Sequence, residues 1–180
     1  MRLLNTSTLE LHQFVGDEKP KYAILSHTWG KEEVQFNDIS KPKDQLLRMA
    51  GFFKIQKCCT QALDHGLDYA WVDTCCINKD SSAELSEAIN SMYRWYQNAH
   101  ICYAYLQDVN PSHETIGHSR WFRRGWTLQE LVAPSTLVIF CNSEWQVLGD
   151  RESLRKELVE STGIQADHLD YPHVCSFPIA

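Results

Sequence analysis

The 180-residue chain is 43% hydrophobic and 22% charged, the proportions of an ordinary globular domain that builds its core without disulfides or metal. Its formal net charge of −6 makes nucleic acid or an anionic membrane surface a poor default partner. No apolar run nears the ~20 residues of a bilayer-spanning helix, and Met1–Thr6 (MRLLNT) has no apolar core of a secretory signal.

In chain order, Leu9–Phe14 alternates apolar and polar residues, predicting a half-exposed strand or the second arm of a hairpin begun at Arg2–Leu4. Tyr22–Ser26 (YAILS) is a buried-type strand. Pro42 opens a helical pattern in which Leu46, Met49, Phe53, Cys59, Ala62 and Leu63 form one stripe, closed by Gly66. Tyr69–Thr74 is a second short apolar strand. Ser81 and Glu84 form a capping box for an amphipathic helix carrying Leu85, Ile89, Met92 and Tyr96.

Ile101–Leu106 is a third buried strand, and Asn110–His118, with Pro111 and Gly117, is loop-like. Ser119 is placed to cap a helix running to about Val132, with Trp121, Gly125, Leu128 and Val132 on one face and Pro134 as its stop. Thr136–Phe140 is a fourth strand and Glu152–Ser161 a more polar helix; the segment beyond Gly163 has no clear period.

Strands alternating with helices predict an α/β fold of three layers, a mostly parallel central sheet with helices on both faces. Ligands of such sheets bind beyond the carboxyl ends of the strands. Here those ends are Ser26–His27, Asp73–Thr74 and Gln107–Asp108. One domain over 1–180 is the expected count.

The seven cysteines include the vicinal pairs Cys58–Cys59 and Cys75–Cys76, with Cys102, Cys141 and Cys175 alone. None forms a CxxC unit, so they read as small buried hydrophobes of a reducing cytosol, with no metal site expected. His65, His100, His113 and His118 show no ligand spacing, and no Gly-rich phosphate loop is present.

Three segments carry more specific information: Tyr22–Gly30 (YAILSHTWG), Trp71–Lys79 (WVDTCCINK) continuing through Leu85, and Arg123–Pro134 (RRGWTLQELVAP). In order and length they resemble the fungal heterokaryon-incompatibility (HET) domain, with the motif-bearing core spanning about residues 22–140. The resemblance implies a cytoplasmic effector of regulated cell death in fungal nonself recognition, a form of innate immunity. It also implies self-association, and NACHT and repeat modules in a longer chain of which this could be the N-terminal part.

A second resemblance, to Toll/interleukin-receptor (TIR) domains, implies a TIR/flavodoxin-like sheet. TIR domains that cleave NAD carry a glutamate in a helix reading Ser-x-Trp-Cys-x-x-Glu-Leu. Here Trp126-Thr127-Leu128-Gln129-Glu130-Leu131 keeps the Trp-to-Glu spacing with Thr127 in place of the Cys. By that likeness Glu130 is the candidate catalytic residue of an NAD nucleosidase, with NAD as substrate and no further cofactor.

Cleaving the nicotinamide–ribose bond develops positive charge on the sugar, which one placed carboxylate can stabilise. The spacing puts Trp126 and Glu130 on one helix face. A solvated Glu130 paired with Arg123 or Arg124 is the plainer reading. Ser26, His27, Trp29 and Gly30 could line a nucleotide pocket, with Trp29 stacking on a ring, or form a Ser–His turn. Asp73 could contact a ribose or cap the following turn. Arg123 could hold a pyrophosphate beside Arg124 or be a solvated first turn. Alternative functions are a non-enzymatic assembly module and a thiol hydrolase using Cys75 or Cys76 with His27, the latter disfavoured because those cysteines continue a buried strand with no helix N-terminus at hand.

Overall fold

A computed structural model describes residues 1–16, 18–110 and 116–170. The architecture is α/β, as expected. Seven strands take the order β2-β1-β4-β3-β5-β6-β7 in one mixed sheet. Two compact units make up the chain, Met1–Leu25 with Trp29–Met92, and Ser26–Thr28 with Tyr93 onwards.

In the first unit, β1 (Arg2–Asn5) and β2 (Leu11–Gln13) form the antiparallel hairpin anticipated at the N-terminus. The buried strand β3 (Ala23–His27) runs parallel to β4 (Tyr69–Val72), with Ile24 opposite Trp71. β4 also pairs antiparallel with β1.

The single helix expected after Pro42 is two: α1 (Lys43–Leu46) and α2 (Phe52–Asp64). Gly51 separates them. Its amide donates to Glu32 O at 2.9 Å, and a Cβ there would sit 2.5 Å from that same oxygen. The close approach fixes the break, and a new helix starts in a new phase. The buried face of α2 is therefore Phe52, Ile55, Cys58, Cys59 and Ala62, while Phe53 and Leu63 are each 40% exposed.

Cys75 and Cys76 do not continue β4; they lie in a short helix α3 (Asp73–Cys76). In α4 (Ser82–Asn98) the Ser81 Oγ accepts the Glu84 amide at 3.3 Å, half of the expected capping box. The Glu84 carboxylate turns instead to the Asn78 amide, 2.9 Å away, and to Arg2. Ala88, Met92 and Tyr96 are the buried positions of α4, and Ile89 is exposed.

In the second unit β5 (Ile101–Tyr105) runs parallel to β6 (Leu137–Cys141), which pairs antiparallel with β7 (Val147–Asp150), a strand the apolar pattern does not announce. The helix expected from Ser119 to Val132 is interrupted. Ser119 Oγ accepts the Trp121 amide at 3.2 Å and caps a 3-10 turn, Arg120–Arg123. Arg124 is extended, and helix α5 occupies only Thr127–Val132. The polar helix α6 (Arg155–Thr162) ends at Gly163, whose φ of 70° suits a left-handed cap. Pro111 and His113 of the expected loop, and Cys175, lie outside the described residues. Among the described residues no helix is long and apolar enough to cross a membrane.

Candidate active site

The interruption before α5 decides where Glu130 points. With α5 restarted at Thr127, the side chains turned inward are Thr127, Glu130 and Leu131. Trp126 is 46% exposed while Glu130 is 2% exposed. Trp126, at the N-cap of α5, and Glu130, one turn later, thus differ sharply in exposure.

The Glu130 carboxylate has three side-chain donors. Ser26 Oγ, at the end of β3, donates to Oε2 at 2.5 Å. Arg124 Nη1 donates to Oε2 and Nη2 to Oε1, each at 2.8 Å, a two-pronged guanidinium–carboxylate pair. Ser26 in turn accepts the indole N–H of Trp121 at 2.7 Å. Trp121 is fully buried and packs edge-on to Phe140, ring centres 5.8 Å apart.

Each position has a local cause. The 3-10 turn places Trp121 inward, and the extended Arg124 folds its guanidinium back over Glu130 six residues later. Asp108, at the turn after β5, secures that 3-10 turn. It accepts the Ser119 hydroxyl at 2.6 Å and the Arg120 amide at 2.8 Å. Burial pushes the Asp108 carboxyl up, but these donors and the Arg120 charge outweigh it and hold the group below its ordinary value.

Of the two arginines in the plainer reading, Arg124 is the one paired with Glu130, and the carboxylate is buried rather than solvated. Arg123 is exposed. The arginine that engages the cluster is its neighbour Arg124. Composition gave no sign of this, since the helical spacing expected across 119–132 breaks between the two.

Ser26 and His27 are both buried, and His27 Nδ1 lies 3.3 Å from Thr28 O. Trp29, Gly30 and Asp73 form a separate cluster in the first unit. The Trp29 indole donates to Asp73 Oδ2 at 2.8 Å, and Lys79 Nζ sits 4.4 Å from the ring centre. The Gly30 amide donates to Glu33 Oε1, which also accepts Lys54 Nζ at 2.6 Å in a buried ion pair. Sequence reasoning missed Glu33 and Lys54. The available signal was a lone lysine on the apolar stripe of α2, four residues before Cys58.

Cys59, Cys75 and Cys141 are poor nucleophiles. Burial pushes Cys59 and Cys141 each up to about 12. Cys75 is raised by its hydrogen bond with Cys76 and by burial. The helical turn around Cys75 therefore does not activate it. Among the described residues no group of three His, Cys, Asp or Glu side chains could hold a metal ion.

A family model described as Heterokaryon incompatibility protein (HET) matches residues 22–114, over half of the chain. The chain belongs to the HET family. It is also 44% identical over 162 residues to the Vegetative incompatibility protein HET-E-1 of Podospora anserina, a match covering 83% of this chain and 12% of that protein. The chain thus spans about an eighth of the length of this curated HET relative. No solved structure gives a significant match. Glu130, Trp121 and Arg124 fall beyond the part of the chain matched by the HET family model, whereas Ser26, Trp29 and Asp73 fall within it.

Proposed function

We propose that this HET chain is the effector part of a vegetative incompatibility protein, and that it acts by cleaving NAD when copies are brought together. The family match and the printed name of the relative support the first half. The second half rests on one observation, the buried Glu130 carboxylate held by Ser26 and Arg124.

A carboxylate offers about four acceptor positions. Ser26 and Arg124 Nη1 use two on Oε2 and Arg124 Nη2 one on Oε1, which leaves an acceptor position on Oε1 for a ribose hydroxyl. In the reaction the bond from ribose C1′ to the nicotinamide nitrogen breaks, and its electron pair neutralises the pyridinium. Positive charge passes to the sugar, where a fixed carboxylate stabilises it. Water then bonds to C1′ and releases a proton. The leaving group is already cationic, so no general acid is needed. Arg124, whose side chain is 20% exposed, is the part of the cluster that reaches solvent and would swing aside to admit the sugar.

The same hydrogen bonds favour a second reading in which the pair only holds α5 and the domain signals by assembly. Nicotinamide release from NAD by the purified chain, dilute and clustered on a bivalent scaffold, separates the two. Release that rises on clustering and falls at least ~100-fold in Glu130→Gln, with the fold retained, is the expected result for loss of a transition-state charge interaction. Intact NAD after incubation with the clustered wild type removes the enzymatic reading and leaves the assembly reading.

A further inference from the structure

Arg151 stands outside the family match, outside all three motif segments, and just past β7. It is nevertheless 2% exposed. So deeply buried a guanidinium is costly unless its donors are used well. Its Nη1 donates to Leu131 O at 2.9 Å and to Pro134 O at 3.2 Å.

Those carbonyls belong to the end of α5 and the turn that follows it. The last carbonyls of any helix lack intrahelical partners, and the residue closing α5, Ala133, has no capping side chain. Here the partners come from the sheet. Cys102 of β5 lies with its Sγ 3.9 Å from Glu130 O, and Arg151 takes the next positions. The Arg151 backbone is itself fixed, its amide donating to Val138 O of β6 at 3.1 Å. A buried cation also meets the negative end of the helix dipole there.

A six-residue helix cannot hold its own place, because forming the first turn is unfavourable. External ties decide where it sits. The geometry points to Arg151 as the positioning residue for Glu130: it clamps the carbonyl end of α5 to the sheet and so keeps the carboxylate on Ser26 and Arg124. Arg151 acts through the carbonyls at the end of α5. Its bearing on catalysis rests on the Glu130 reading above; its hold on the helix does not.

The test combines native-state amide exchange with nicotinamide release, on the whole chain carrying Arg151→Met or Arg151→Lys. Met keeps the length of the stem and loses every donor; Lys keeps the charge but not the planar fork. In Arg151→Met the amides of Glu130 and Ala133, which close α5 through Trp126 O and Gln129 O, are expected to exchange at least ~10-fold faster, with β5 and β6 amides changing less than ~2-fold. Arg151→Lys is expected to fall between. Equal acceleration in strands and helix marks a general stabiliser and overturns the proposal, as does unchanged exchange in α5. Should Arg151→Met fail to fold, the same local criterion applies to Arg151→Lys.

In the activity arm, kcat is expected to fall with KM little changed. A loosened α5 with kcat intact overturns the positioning role. A wild type that leaves NAD whole removes the enzymatic reading, while the exchange result still decides what Arg151 does.

Discussion

The Arg124–Glu130 pair is unequally placed with respect to water, and that inequality predicts unequal mutational costs. Glu130's side chain is 3% exposed and Arg124's 20%. Truncating Arg124 to Ala strands a carboxylate that has lost two charge-assisted hydrogen bonds and retains only the Ser26 hydroxyl. Leaving a buried charge unpaired costs about 3–5 kcal/mol. Truncating Glu130 to Ala strands a guanidinium that can turn outward and rehydrate, and Ser26 still has its indole partner, so about 2–3 kcal/mol is expected. Urea denaturation at neutral pH, with midpoint and slope fitted for both single variants and the double, measures this. The expected pattern is Arg124→Ala worse than Glu130→Ala, and a coupling energy of at least ~1.5 kcal/mol in the double-mutant cycle. Costs below ~1 kcal/mol for both, as for an exposed pair, or Glu130→Ala clearly the worse, would refute this account of the cluster.

Two further outcomes follow from residues that set up the site. Asp108 is held below its ordinary carboxyl value in the folded chain. Its contribution is therefore complete above the unfolded value of about 4 and is lost as pH falls through the lower folded one; Asp108→Asn is expected to flatten the acid limb of a Tm-against-pH curve below pH ~4, and an unchanged limb would contradict this. Gly51→Ala would drive a methyl to 2.5 Å from Glu32 O and 2.9 Å from Glu33 Oε2, and is expected to cost about 1–3 kcal/mol as overpacking does, read as a lowered Tm.

Strand identity was legible because β3, β4, β5 and β6 are short apolar runs ended by polar or turn residues, and the α/β class follows from their alternation with helices. The N-terminal hairpin was legible as one of two readings of the period-two alternation over Leu9–Phe14. Helix continuity was not. Both long helical patterns, from Pro42 and from Ser119, are broken in the structure, the first at a contact with another part of the chain and the second within its own length. The Gly51 amide goes to the carbonyl of Glu32, and Arg124 is extended while its guanidinium binds Glu130. A break resets the helical phase, and for that reason Phe53, Leu63 and Leu128 face outward where an unbroken pattern turns them in.

The candidate site was partly legible for the same reason. Ser26 and Glu130 were both named from motif positions, and the fold brings their side chains together across 104 residues of chain. Their meeting is a matter of tertiary structure and leaves no local trace. Arg151 was invisible: it carries no motif, and a single arginine after a weak strand looks like any surface cation. Only its burial sets it apart.

The contact of Trp121 with Ser26 has a consequence for which side chains positions 26 and 130 can accept. An indole nitrogen can only give a proton, so the oxygen facing it must receive one and direct its own proton onward. The hydroxyl rotor is therefore set, and the chain Trp121, Ser26, Glu130 runs one way, ending in a pure acceptor. An amide at position 130 would have to turn its oxygen toward Ser26 and its NH2 toward the arginine, where hydrogens would oppose hydrogens. The near-isosteric change is thus not a silent one at this position, and alanine at position 26 would leave an indole proton with no oxygen in front of it.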